Sequence, residues 1–383
     1  MGLLHISTLI LQLSGLWPIE DNKSKLKRTF YKIYSNFLLV WLMVYDVFLS
    51  LGFIRLIVKT ESFERLNRSL FVFLTTIIII PNMIIFKQKK VGNLCQDIMI
   101  YEKAHVLNTK NPELSAVFQA ILKQSNFFTI FTLSTCFVGT STFIGMSLLV
   151  LYNTGPSFWK SDAPFMYELY IPFDKQKYSW FIIIVQILTA YSASLVYVTI
   201  QTTFYVLFMY GTLRFQILQL KIDKLSIYGG ENSFEKLRSL ILEHQDIINF
   251  IDTLNEKISY AVMSAFMVNS IKLGSGVFSL IDQSSEGLLF PIIYVTLIFG
   301  EVYFLGWTCN EIQDQSFRVA ERIYAIQWYD KGKDFKVMVE MMMMRAQKPS
   351  NIKIGPLGVM TVNTIVSTVQ TAYSFITLML NLH

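Results

Sequence analysis

The residues able to do nucleophilic or metal chemistry are few and badly spaced for it. His5, His105, His244 and His383 contain no pair at ligand spacing, and the serines are scattered with no histidine and acid in register. Cys95, Cys136 and Cys309 are odd in number and far apart, so they offer neither a disulfide framework nor a zinc spacing. No glycine-rich phosphate loop is present. Neither an enzyme nor a metal or cofactor site is expected. The informative polar residues are the ones that interrupt apolar stretches. Asp46, Lys272 and Glu301 each sit inside one, and Arg55 sits near the end of the stretch that holds Asp46, where it can snorkel. Ions within a membrane are expensive and are usually paired or wetted. Either Lys272 pairs with Asp46 or Glu301 inside a bundle, or each charge faces its own water-filled cavity.

A second polar pattern lies in the last stretch of the chain. After a basic approach, Arg345-Ala346-Gln347-Lys348-Pro349, and the sequence Gly355-Pro356-Leu357-Gly358, about two dozen mostly apolar residues follow. That is enough to cross a bilayer once, since ~20 residues rising 1.5 Å each span a ~30 Å hydrocarbon core. Thr364, Ser367, Thr368, Thr371 and Ser374 recur along one helical face of it. Lipid cannot satisfy hydroxyls, so this face turns to protein or to water. It is either a helix–helix contact or the wall of a pore.

The elements that position these residues follow from composition. The chain has 383 residues, 53% hydrophobic and only 16% charged, with a mean hydropathy of +0.44. Soluble chains carry charge on about a quarter of their residues. The expected class is therefore an all-α, polytopic membrane protein. The start, Met1 to Trp17, lacks the basic n-region of a signal peptide. Ile6 stands where myristoylation needs Ser or Thr. Residues 1–20 fit a short amphipathic helix at the interface or tucked into the bundle.

Six spans are expected over residues 37–309: Phe37 to Val58, Phe63 to Phe86 with a kink at Pro81, Asn126 to Tyr152, Tyr178 to Tyr210, Ile258 to Ile281, and Leu288 to Cys309. The seventh lies within residues 351–383. Between spans four and five, Leu237, Leu240, Ile241, His244, Ile247, Ile248, Ile251 and Leu254 recur at three and four, so these helices extend beyond the membrane as a stalk. Residues 310–350 form a further charged helical segment. The segments on the N-terminal side of the membrane hold five, six, six and eight Lys or Arg, against six on the other side. Excess Lys and Arg mark the cytoplasm, which places the N-terminus inside and the C-terminus outside. The net charge of +6 is thereby explained without a nucleic-acid partner. A G-protein-coupled receptor would have the opposite orientation. A transporter would show internal repeats, and none is found. Asn67-Arg68-Ser69 matches a glycosylation sequon on the outer side.

With this inverted layout the chain resembles the insect odorant receptors along its whole length, most specifically in the C-terminal third. The residues that carry the resemblance are Ser316, Ala320, Tyr324 and Trp328, then Met341 to Met344, Arg345 to Pro349, Gly355, and Thr371-Ala372-Tyr373-Ser374-Phe375. The resemblance implies a ligand-gated, non-selective cation channel of four subunits in the plasma membrane of olfactory sensory neurons. A tuning subunit binds the volatile odorant, and co-receptor subunits complete the assembly. The co-receptor and the gustatory receptors carry Thr-Tyr followed shortly by Gln in the last helix. Here Ala372 precedes Tyr373 and Met379 replaces the Gln, and the connection between spans four and five is short. Both departures imply a tuning subunit; a gustatory-type homotetramer is the nearest alternative.

By the same match the last helix lines a central pore. Its gate falls at Ile376 and Leu380 with Met379 beside them, and Thr377, Thr371 and Gln370 offer hydration. Tyr324, Trp328 and Arg345 belong to the anchor that holds subunits together. The odorant pocket is expected in the outer half of the bundle, apolar with a few polar handles. Its candidates are Phe71, Val72 and Thr75 from span two, Thr142, Gly145 and Leu149 from span three, Ile184, Ile187 and Leu188 from span four, and Phe290 and Tyr294 from span six. Membrane lipid and permeating cations complete the expected partners.

Overall fold

A computed structural model describes residues 2–3, 5–17, 25–59, 63–106, 111–154, 166–227, 233–282, 289–367, 369–370 and 374. In chain order its helices are α1 (His5–Leu13), α2 (Lys25–Val58), α3 (Phe63–Lys87), α4 (Lys89–Tyr101) with a π-helical extension (Glu102–Val106), α5 (Pro112–Thr154), α6 (Ser179–Ile227), α7 (Ser233–Asp282), α8 (Leu289–Ala325) and α9 (Lys333–Ala346). A short 3₁₀ turn (Gly355–Leu357) precedes the helical turns that begin the last stretch.

Several helices extend at one end beyond the stretch that hydropathy alone marks. Apolar windows report only the part that suits lipid, whereas the backbone ladder continues into water wherever caps and packing allow. Thus α2 starts at Lys25 rather than near Phe37, and α5 starts at Pro112 rather than near Asn126. The α5 start has a local cause. Pro112 occupies the first turn, where a missing N–H costs nothing, the Asn111 side-chain oxygen accepts the Glu113 N–H at 3.2 Å, and Glu113 suits the helix dipole. Pro81 lies inside α3 without ending it. The bend comes later, at Gln88, whose extended backbone separates two helical pieces set at 58°. The charged segment after Cys309 is two helices, not one. α8 ends at Ala325, and a turn through Ile326 and Trp328 leads to Gly332 and α9.

By length and composition, α2, α5 and the Ser179–Leu225 part of α6 are each long and apolar enough to cross a membrane among the described residues, and the bent pair Val72–Lys87 with Val91–Ala104 would be a fourth. α6 is the central helix. Phe204, Tyr205, Leu207, Phe208, Met209, Leu213 and Phe215 on it are fully buried, and it packs against α5, α7 and α8. Rings from α5 and α8 interlock beside it: Phe128 lies 4.8 Å from Phe304, 5.6 Å from Trp307 and 5.7 Å from Tyr205.

At one end of the molecule, here the stalk end, the lower parts of α6, α7 and α8 pack with α9. Leu237, Leu240, Ile247, Ile248, Ile251 and Leu254 of α7 are buried there with Ile312, Val319 and Ile323 of α8 and Phe335, Val339 and Met342 of α9. Gln219 ties α6 to α8 by donating to the Gln315 backbone and side-chain oxygens at 2.9 Å. α1 is tucked into the bundle against α6 and α5. Leu3, Leu11, Leu16 and Trp17 are buried, the Leu3 N–H donates to Glu102 at 3.0 Å, and the Ser35 hydroxyl donates to the Gly15 carbonyl at 2.6 Å.

Candidate ligand-binding site

The site grows from polar residues that apolar helices carry inward. α3 supplies Thr75 and Asn82, α6 supplies Tyr197 and Gln201, and α7 supplies Asn269. With Ile78, Ile79, Ile200, Ala265 and Val268 they line a cavity of about 20 Å³. That space admits a single water molecule, which needs roughly 10–15 Å³.

One wall of this cavity is a polar node. The Tyr197 hydroxyl lies 2.9 Å from Glu301 Oε2 and 3.2 Å from Asn269 Oδ1, both acceptors for its one proton. Gln201 Nε2 donates back to the Tyr197 oxygen at 3.3 Å. Lys272 lies over the Tyr197 ring, 4.5 Å from its centroid, so Lys272 and Glu301 meet at the same tyrosine. Lys272 and Glu301 are both buried. Of the two acids considered from the sequence, the structure brings Glu301 to Lys272; Asp46 lies elsewhere, beside Thr76 of α3. Asn82 extends the node to α3 by accepting from Ser264 of α7 at 3.3 Å. Gln201 Oε1 is buried among these groups with no protein partner. Tyr197, Gln201, Asn269 and Asn82 were not singled out from the sequence. The available signal was an amide or phenol inside an otherwise apolar span.

A smaller apolar cluster lies nearer the end opposite the stalk. Ile144 of α5, Ile183 and Ala190 of α6 and Met166 are buried together, with Phe143, Tyr167 and Ile187 against them. The segment 166–170 is held by its backbone and by the Tyr167 ring, which lies 6.3 Å from that of Tyr45 and 5.6 Å from that of Phe143. The Met166 N–H donates to Gln186 Oε1 at 3.1 Å, and the Tyr170 N–H donates to the Phe48 carbonyl at 3.0 Å. A Cβ at Gly52 of α2 would stand 1.9 Å from the Glu168 carbonyl oxygen, so only glycine permits this approach.

The pocket candidates read from sequence separate into groups. Thr75 lines the cavity, Val72 is half-buried on the same helix, and Ile187 packs on the smaller cluster. Gly145 is half-buried, with open space where a side chain would be. Thr142, Leu149, Ile184 and Leu188 are exposed on the outside of the chain. The reason is rotational. Ile183, Gln186 and Ala190 form the inward face of α6, which lies about a quarter-turn or more from Ile184 and Leu188. α5 and α6 are apolar on every side, so hydropathy gives no phase. The side chains of Phe71, Phe290 and Tyr294 lie outside the described residues, as do Thr371, Ile376, Thr377, Met379 and Leu380. Gln370 is exposed, and its carbonyl accepts from Ser374 at 2.9 Å.

The stretch leading to the last helix is pinned to the stalk. The Asn255 side chain donates to the Asn351 carbonyl and accepts the Lys353 N–H, both at 2.8 Å. Ser316 accepts the Ser350 N–H at 3.0 Å. An antiparallel bridge between Lys353 and Val359 closes the turn between them. Gly355 takes a left-handed φ of 49° in this turn, with Met263 of α7 packed where its side chain would stand. Among the anchor candidates, Tyr324 is exposed, Trp328 is half-buried against the core, and Arg345 donates to the Lys348 carbonyl at 2.9 Å.

A family model described as the 7tm odorant receptor matches residues 62–373. The chain belongs to the 7tm odorant receptor family. Within that family, it is 22% identical over 203 residues to odorant receptor 10 of Aedes albopictus, covering 52% of this chain and 54% of the relative. It is 25% identical over 242 residues to odorant receptor 30a of Drosophila melanogaster, covering 62% and 64%. The chain thus spans between half and two thirds of the length of these curated relatives. The fold matches the solved structure of the insect olfactory receptor OR5 from Machilis hrabei with a TM-score of 0.82 at 15% identity, covering 99% of this chain and 97% of that one. The structure of that receptor in complex with eugenol matches with a TM-score of 0.83. The seven-span odorant-receptor fold expected from the sequence is therefore the fold of this chain.

Proposed function

We propose that the chain is an odorant-tuning subunit that gates a non-selective cation channel, completed by co-receptor subunits in the plasma membrane of olfactory sensory neurons. Family membership supports a receptor for small odorants, as does the likeness to a receptor solved with eugenol. The observation that carries the reading furthest is the water-sized cavity between α3, α6 and α7, walled by one polar node within an apolar bundle. Volatile ligands are mostly apolar with one or two hydrogen-bonding groups, and this lining matches that chemistry.

Pockets for small ligands measure roughly 300–1,000 Å³, so an odorant must part the helices that now enclose about 20 Å³. It would do so from the outer half of the bundle, among Phe71, Val72, Thr75, Gly145, Ile187, Phe290 and Tyr294. An odorant gains by binding the parted state, and the equilibrium shifts by that differential affinity. In this reading the motion reaches the last helix through α8. Ile376 and Leu380, with Met379, close the pore by dewetting, while Thr377 and Gln370 hydrate it. Tyr324, Trp328 and Arg345 belong to the anchor between subunits. The N-terminus lies in the cytoplasm and the C-terminus outside.

The test is current recording from cells expressing the chain with and without the co-receptor, against a panel of volatile compounds. Odorant-evoked cation current that requires both subunits is expected. Evoked current from this chain alone would favour a gustatory-type homotetramer. Absence of current from the pair across a broad panel, with both subunits at the cell surface, would overturn the proposal.

A further inference from the structure

α2 is a helix of two opposite faces. Ser35, Leu38, Leu42, Tyr45, Leu49, Gly52 and Leu56 are buried at alternating spacings of three and four. On the other face Leu26, Phe30, Ile33, Phe37, Val40, Val44, Val47, Leu51, Ile54 and Val58 follow the same alternation, and every one is exposed. This apolar stripe runs about 48 Å at 1.5 Å per residue. The hydrocarbon core is about 30 Å thick, so the stripe outruns it by several helical turns.

The surplus lies at the Lys25 end. Leu26 and Phe30 are 73% and 70% exposed there, the same face that higher up turns towards lipid. Lys25, Lys27, Arg28 and Lys32 fall within these turns. Lys25 and Lys32 flank the stripe on one side and Lys27 on the other, each roughly 100° from its axis. Long basic side chains placed so can lay their stems along apolar surface and raise their ammonium groups into a headgroup layer. The charge is also opposite to what an isolated helix favours. The first turn of α2 contains no acid, although the positive end of the helix dipole lies there and is stabilised by negative charge.

We infer that the first three turns of α2 are a binding site for anionic phospholipid headgroups, with the apolar stripe seated in the acyl boundary and Lys25, Lys27 and Lys32 contacting the phosphates. Charge complementarity and continuity with the bilayer-facing surface select this occupant. Anionic headgroups supply negative charge both to the lysines and to the helix end, and clustered basic residues beside a span are the usual mark of such recognition. The site is separate from the odorant cavity and stands whether or not the channel reading holds.

The experiment uses the full chain purified in its own assembly and placed in nanodiscs of phosphatidylcholine mixed with phosphatidylserine, with the retained lipid counted by mass spectrometry. Phosphatidylserine is expected to be enriched over phosphatidylcholine. The Lys25→Gln/Lys27→Gln/Lys32→Gln variant is expected to lose about fivefold of that preference per lysine, from roughly 1 kcal/mol per charge. The matching Lys→Arg variant should keep it. Raised salt should reduce the preference in the unaltered chain, which keeps the test available if the Gln variant fails to fold. Absence of enrichment in the unaltered chain, or equal enrichment in the Gln variant, would overturn the inference. So would a Phe30→Ser variant that changes the mass of the assembly and leaves phosphatidylserine retention untouched, since the stripe would then be seating a second copy of the chain.

Discussion

At the scale of single residues, the polar node makes the sharpest demands. Lys272→Met would leave the Glu301 carboxylate buried without its cation, a loss of about 3–5 kcal/mol for a charge so stranded. Lys272→Met/Glu301→Gln removes both charges and is expected to recover most of it, read as thermal unfolding of the purified chain. Equal melting of the single and double variants would break the pairing. His244 makes a different demand. It is buried in the stalk part of α7, and burial, aided by the Arg345 charge, pushes its pKa from 6.5 down to about 4. The folded chain therefore binds fewer protons than the unfolded chain between these values, so stability is full above 6.5 and falls as pH drops towards 4. The loss across that window is on the order of 3 kcal/mol, and His244→Phe should flatten it in melts taken as a function of pH. Lys272 and Glu301 were legible in the sequence because charge inside an apolar run is conspicuous. Tyr197, Gln201 and Asn269 were not, because uncharged polar residues are common in spans and their convergence is a property of three helices at once.

At the scale of elements, what links the stalk to the last helix is a strap rather than a rod. Asn255 holds the strand that enters the turn, through Asn351 and Lys353. Asn255→Ala leaves a part-buried carbonyl and N–H without their partner, at about 0.5–1.5 kcal/mol each. Its measurable outcome is a lower melting temperature together with weaker odorant-evoked current for the same surface expression. The sequence marked the apolar stretches and the α7 periodicity well, because burial on one side leaves a period of 3.6. It marked the extended start of α2 and the break between α8 and α9 poorly. Those boundaries depend on caps and on the turn at Gly332, which contribute little to hydropathy. The inward faces of α5 and α6 were hidden for a related reason: lipid and protein core accept the same side chains, so an all-apolar helix does not declare which side is which.

At the scale of the whole molecule, the inverted orientation and the shared pore are the properties on which the proposed function stands. Epitope tags at the two ends should be reached by antibody only at the C-terminal end in unpermeabilised cells. Staining of the N-terminal tag alone would reverse the topology. Replacing Ile376 with Ser should raise resting leak current of the assembled channel, and unchanged leak and ion permeability would remove that residue from the gate. The fold was legible in the chain because a membrane allows few architectures, and the imbalance of Lys and Arg across the spans fixed the threading expected of it.

The approach of Glu168 to Gly52 has a consequence of its own. The segment at 166–170 is fastened through the Tyr167 ring, amide groups and a missing side chain, and not through the identity of Leu169 or Tyr170. Its seating therefore survives exchange of Leu169 and Tyr170, while a single methyl group at position 52 would dislodge it. A receptor lineage under pressure to meet new molecules could rewrite Leu169 and Tyr170, provided the glycine beneath them and the packed Tyr167 stay.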